Sequence, residues 1–81
     1  MLLDFGCGGG SFLRGVAPVA LSVIGVELQR SFREELMAEG FRCIEDVSQL
    51  ENQIDSAFMF HVLEHLSDPI TTLQAIRTQM S

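Results

Sequence analysis

The apolar residues of this chain come in short runs set apart by glycine, proline and charge. Residues 2–5, 21–27 and 54–60 are mostly apolar stretches, and residues 41–45 (FRCIE) are a shorter one that carries Arg42 and Glu45. Runs of that length, bounded by turn formers and with little alternation, predict strands covered on both faces. Between them the apolar spacing changes to three and four. Residues 11–17 place Phe12, Leu13 and Val16 on one side of a short helix, which Pro18 cannot continue without losing a backbone hydrogen bond. Ser31-Phe-Arg-Glu34 has capping-box spacing, a hydroxyl followed three residues later by a carboxylate. A helix start one turn earlier, near Gln29, is the alternative. Phe32 and Leu36 form an i,i+4 apolar pair, and Gly40 fits the C-terminal cap. Residues 47–53 are a polar connection with room for one helical turn, and residues 61–67 a loop or short helix. Asp68-Pro69 predicts a sharp helix start, an N-cap acid before a proline at the first helical position. Ile70, Leu73, Ile76, Arg77 and Met80 then follow helical spacing, and all but Arg77 are apolar. The order β-α-β-α-β-β-α predicts an α/β fold with a parallel sheet and right-handed crossovers.

Composition narrows the classes. At 81 residues the chain is one small domain, and 47% hydrophobic content supplies a packed core. Eleven acids against five basic residues give a net charge of −6, and every basic residue is Arg. No basic stretch tracks a phosphate backbone, so nucleic-acid binding by charge is disfavoured. The acidic balance suits solubility and tolerates a cationic or zwitterionic small ligand. Cys7 and Cys43 have no metal or redox spacing and read as reduced thiols of a cytoplasmic protein. No segment is apolar for long enough to span a membrane. The first apolar run carries Asp4 and has no basic flank, unlike a signal peptide.

The chemistry gathers around Gly6-Cys7-Gly8-Gly9-Gly10, between a predicted strand and a predicted helix. Open α/β sheets bind ligands there, outside the carboxyl end of the first strand. Glu27 closes the second strand, twenty-one positions after Gly6. Its carboxylate opens onto the same crevice and suits the vicinal hydroxyls of a ribose. Nicotinamide dinucleotides and S-adenosylmethionine both fit this far. Ser11 departs from the dinucleotide pattern G-x-G-x-x-G/A, and Asp4 adds negative charge where a pyrophosphate would sit. An acid at that place suits a ligand carrying an ammonium and a sulfonium.

On these residues the chain resembles the class I S-adenosylmethionine-dependent methyltransferases, whose first motif is an apolar strand, Asp, then G-x-G-x-G. Gly6, Gly8 and Gly10 match the glycines, and Glu27 matches the acid that holds the ribose hydroxyls. The segment from Phe60 to Pro69 (FHVLEHLSDP) is similar to the stretch after strand four in the branch related to ubiquinone-biosynthesis O-methyltransferases. The resemblance implies S-adenosylmethionine as cofactor and a Rossmann-like parallel sheet with strand order 3-2-1-4. It implies cofactor contacts from Asp4, Gly6, Gly8, Gly10, Glu27 and His61, and an approach of Asp46 to the adenine. It covers residues 1–81 as a single partial methyltransferase-like domain, roughly half of such a domain. The methyl acceptor, a small molecule, is not legible.

His61, Glu64 and His65 also spell His-x-x-Glu-His, the inverted zinc-protease signature. That reading lacks a downstream ligand. Some relatives in the branch hold a divalent metal through Glu-x-x-Glu-His, and His61 replaces their first Glu. His65 is a candidate general base near an acceptor hydroxyl, since imidazole titrates near neutrality. The plainer expectation is structural, with Leu63 and Leu66 packed inward and the polar residues bordering the cleft. Two alternatives stay open beside the methyltransferase reading: a non-catalytic binding or interaction module of the same fold, and a nicotinamide-dinucleotide-binding fragment. An apolar strand four at the sheet edge invites pairing, so a homodimer through that edge or through the last helix is expected.

Overall fold

The computed structural model describes residues 1–51, 53–60, 62 and 66–80. Strand β1 (Leu2–Phe5) leads through a glycine turn to helix α1 (Ser11–Val16). Strand β2 (Val23–Val26), helix α2 (Arg30–Ala38) and strand β3 (Arg42–Ile44) follow. A single 3₁₀ turn (Val47–Gln49) precedes strand β4 (Ser56–Met59), and helix α3 (Pro69–Thr78) comes last. The strands form one parallel sheet in the order β3-β2-β1-β4, as expected from the resemblance.

The sheet has a core on each face because successive side chains point to opposite sides. On one face Leu3, Ile24 and Val26 pack with Val47, Leu50, Ile54 and Ile76. On the other, Cys7 and Cys43 pack with Leu13 of α1 and Leu36 of α2. Leu3, Ile24, Leu13, Leu36 and Ile54 are fully buried, and each contributes about 1.5–3 kcal/mol of hydrophobic stabilisation. Gly25 lets the second layer close. A Cβ there would lie 2.7 Å from Cys7 Sγ and 2.9 Å from Leu13 Cδ1, so only a bare backbone admits α1 at this distance.

Three local expectations are corrected. The second strand begins at Val23, not at residue 21, and Leu21 is fully exposed. Val23 is the position opposite Leu2, where β1 starts; the Ser22 carbonyl still accepts the Leu2 N–H at 2.9 Å, and Leu21 lies beyond that last bond. The capping box at Ser31–Glu34 does not form. Helix α2 begins at Arg30 with Gln29 as its N-cap, the alternative start, and Glu34 instead pairs with Arg30 at 2.8 Å. The box occurs at Asp46–Gln49, where Gln49 Oε1 accepts the Asp46 N–H at 3.0 Å. The fourth strand starts at Ser56, and Ile54 forms an isolated parallel bridge with Met80. Gly40 caps α2 as expected, at φ +95°, with its N–H on the Met37 carbonyl and that of Phe41 on the Leu36 carbonyl. Asp68 caps α3 through Thr71 and Pro69 opens it, also as expected. Of the α3 apolar stripe Ile76 is buried, while Ile70 and Leu73 stay exposed.

Candidate cofactor site

The glycine turn is built by the end of β2. The Gly6 and Cys7 N–H groups both donate to the Val26 carbonyl, at 2.7 and 3.1 Å, and the Gly10 N–H closes the turn onto the Cys7 carbonyl at 2.9 Å. Gly6 and Gly10 adopt φ of +74° and +88°, a region that L side chains avoid. Both also lack room: a Cβ at Gly6 would sit 2.5 Å from Val62 Cγ2, and one at Gly10 would overlap Leu36. Gly8 and Gly9 have nothing within 4 Å of a Cβ position, so that part of the turn is open. Gly10→Ala is expected to cost about 2–4 kcal/mol in urea unfolding, from backbone strain plus overpacking of Leu36. A loss below about 0.5 kcal/mol, the range of an ordinary surface change, would contradict the packing described.

Glu27 ties the turn to α2. One carboxylate oxygen accepts the Gly8 N–H at 2.8 Å and the other accepts the Gln29 N–H at 2.8 Å. A carboxylate offers about four acceptor positions, so two remain for a ligand. Arg33 braces the same corner by donating to the Glu27 and Leu28 carbonyls at 2.8 and 2.7 Å. Arg14 holds the far side, donating to the Gly9 carbonyl at 2.6 Å and to Glu39 at 2.9 Å.

A cleft with two lobes meeting at Gly6 runs over the carboxyl ends of the strands. The first, about 370 Å³, is lined by Asp4, the glycine turn, Ser11, Phe12 and Phe60. The second, about 510 Å³, is lined by Phe5, Glu27, Leu28, Gln29, Glu45, Asp46, Val62 and Leu66 together with Gly6 and Val26. Asp4 is only 2% exposed, and burial pushes its carboxyl up to about 6. Burial also raises both thiols; Cys7 and Cys43 lie 3.8 Å apart beneath the turn. A thiol held protonated is a poor nucleophile, which fits a packing role.

A family model described as a methyltransferase domain matches residues 1–81. The chain belongs to that family. Over 88 residues it is 30% identical to the ubiquinone biosynthesis O-methyltransferase of Aeromonas salmonicida (strain A449), covering 95% of this chain and 37% of that protein. Its fold is similar to that of SAM-bound CalS10, an amino pentose methyltransferase from Micromonospora echinaspora involved in calicheamicin biosynthesis. The TM-score is 0.83 at 25% identity, over 99% of this chain and 38% of that one. An S-adenosylmethionine-dependent methyltransferase from Clostridium acetobutylicum ATCC 824 shares the fold at TM-score 0.79 and 17% identity, with 99% and 38% covered. The chain thus spans little more than a third of the length of these relatives.

Within this methyltransferase domain the structure brings Asp4, Gly6 and Gly10 to one lobe, and Glu27 and Asp46 to the other, with Gly6 common to both. Gly8 meets Glu27 through its N–H. Asp46 also works locally, since its carboxylate caps the 3₁₀ turn and accepts the Ser48 hydroxyl at 2.7 Å. His61, Leu63, Glu64 and His65 lie outside the described residues. Among the described residues, no three His, Cys, Asp or Glu side chains gather as a metal site would need, and no helix is long and apolar enough to cross a membrane. Arg14, Val62 and Phe60 are site features that the sequence reading missed. Arg14 has a local signal, since it lies one turn after Gly10 and faces the turn; the other two depend on tertiary placement.

Proposed function

We propose that this chain is the S-adenosylmethionine-binding part of a methyltransferase acting on a small-molecule acceptor. The observation that carries the reading is the pair of carboxylates flanking Gly6, Asp4 in one lobe and Glu27 in the other. Asp4, ionised above about pH 6, offers a counter-charge to the cofactor's ammonium group. The two remaining acceptor positions of Glu27 take the ribose hydroxyls, and the lobe beyond it, closed by Asp46, takes the adenine. The open backbone at Gly8 and Gly9 admits the ligand close to the turn. When bound, S-adenosylmethionine supplies a methyl group activated on a sulfonium. A dinucleotide would set two phosphates beside Asp4 and is disfavoured by repulsion.

A thermal-shift titration with S-adenosylhomocysteine tests this. Ligand at 100 times its dissociation constant stabilises by about 2.7 kcal/mol, a rise of roughly ten degrees or more for a chain of this size. The rise should appear in wild type and vanish in Glu27→Ala. No rise in wild type at millimolar ligand would overturn the reading. Free thiols at Cys7 and Cys43 go with a reducing, cytoplasmic setting. Pairing of two copies through the β4 edge or the exposed Ile70 and Leu73 of α3 belongs to the same reading. Light scattering should then give a dimer mass that a clean monomer at high concentration would refute.

A further inference from the structure

We propose that Phe12 and Phe60 form an aromatic wall that holds the sulfonium of S-adenosylmethionine, so that the site prefers the cationic cofactor over its neutral demethylated product. The proposal rests on the cofactor reading above and adds a residue pair that distinguishes two ligands of nearly the same shape.

Phe12 stands in the first turn of α1, directly after the glycine turn, and Phe60 is the first residue beyond β4. Both line the lobe that holds Asp4. Their ring centroids are 4.9 Å apart and tilted by 55°. Phe58, opposite Asp4 in the sheet register, backs them at 5.0 Å from Phe12 and 6.2 Å from Phe60. Phe60 remains 52% exposed, so a large ring faces the lobe and solvent instead of the core. Asp4 is the only charged side chain among the described residues lining this lobe, and no cationic side chain there competes for the rings. Aromatic faces carry negative potential and attract cations. A buried acid and two ring faces in one lobe therefore favour a cationic ligand group on two counts.

The two attractions separate by ligand. S-adenosylmethionine and S-adenosylhomocysteine share the ammonium, ribose and adenine, so the ammonium contact of Asp4 and the ribose contacts of Glu27 are common to both. Only S-adenosylmethionine carries the sulfonium; Asp4 adds its charge to that difference, and the ring faces add a share that the Leu variants remove while Asp4 stays in place. Weaker holding of the neutral thioether lets the product leave.

Calorimetric titration of wild type, Phe12→Leu, Phe60→Leu and Phe60→Tyr with each ligand tests the proposal. Each Leu variant should lower the ratio of S-adenosylmethionine to S-adenosylhomocysteine affinity by about 3- to 30-fold. The affinity for S-adenosylhomocysteine should move by less than about twofold, and Phe60→Tyr should keep the wild-type ratio. Equal losses for both ligands would reduce the rings to packing and overturn the proposal, leaving the cofactor reading intact. If wild type binds neither ligand, the cofactor reading itself fails and this proposal falls with it. Amide spectra check the fold of each variant; should Phe12→Leu not fold, the ratio in Phe60→Leu, at a half-exposed position, decides.

Discussion

Asp4→Asn should stabilise the ligand-free chain and weaken the cofactor site in the same molecule. Asp4 is buried, and among the described residues no charge partner lowers its pKa; desolvation lifts it from 3.8 to about 6. Between those two values the folded chain holds a proton that the unfolded chain has released, so stability from this group grows as pH falls through about 6 and levels off below 3.8. At neutral pH the ionised carboxylate therefore costs about 3 kcal/mol, the shift taken at about 1.4 kcal/mol per unit. Asn has nearly the same shape and does not ionise. Urea unfolding at pH 7.5 should show a gain of about 1–3 kcal/mol that disappears near pH 4. Affinity for S-adenosylmethionine should fall by about 10- to 100-fold, because a charge-assisted contact to the ammonium is lost. Wild-type affinity should decline as pH drops through about 6, and Asp4→Asn should lose that dependence. A variant that is less stable at pH 7.5, or binds like wild type, would contradict this account of Asp4.

Glu27 should show the opposite balance, with function and turn geometry lost together. Its carboxylate accepts two backbone N–H groups, from Gly8 and Gln29, each at 2.8 Å. Glu27→Gln leaves one oxygen and sets an amide NH₂ against one of those donors, so one backbone group loses its partner. Two charge-assisted acceptors for the ribose weaken at the same time. At about 1.5–3 kcal/mol for each hydrogen bond to a charged group, cofactor affinity should drop by about 100-fold or more. The Gly8 or Gln29 amide should exchange with solvent faster than in wild type. Unchanged exchange at both amides together with unchanged affinity would show that Glu27 neither holds the turn nor meets the ligand.

The sheet was legible because its signals are local. Short strand-like runs with helical spacing between them predict parallel strands, and the glycines after the first run predict the turn at its carboxyl end. Glu27 was legible for the same reason, as an acid closing a strand beside that turn. The misread positions are those where a distant contact decides. Leu21 is as apolar as its neighbours, yet the sheet does not reach it because β1 starts opposite Val23. Ser31 and Glu34 have cap spacing, but Glu27 and Arg33 fix the preceding corner and the helix starts at Arg30. Asp46 was legible as an acid after the third strand, and its capping of the 3₁₀ turn with Gln49 was not. Phe12 reads as one more apolar helix position, and its meeting with Phe60 arises only when β4 is set beside β1.

The central claim is that the glycine turn and the Glu27 corner together bind one adenosyl ligand. An amide chemical-shift titration with S-adenosylhomocysteine tests it most directly. The account predicts saturable shifts at Gly6 to Gly10, at Glu27 to Gln29 and around Asp46, all lost in Glu27→Ala. Saturating ligand that leaves these amides unmoved, or moves the amides of α3 instead, would contradict it.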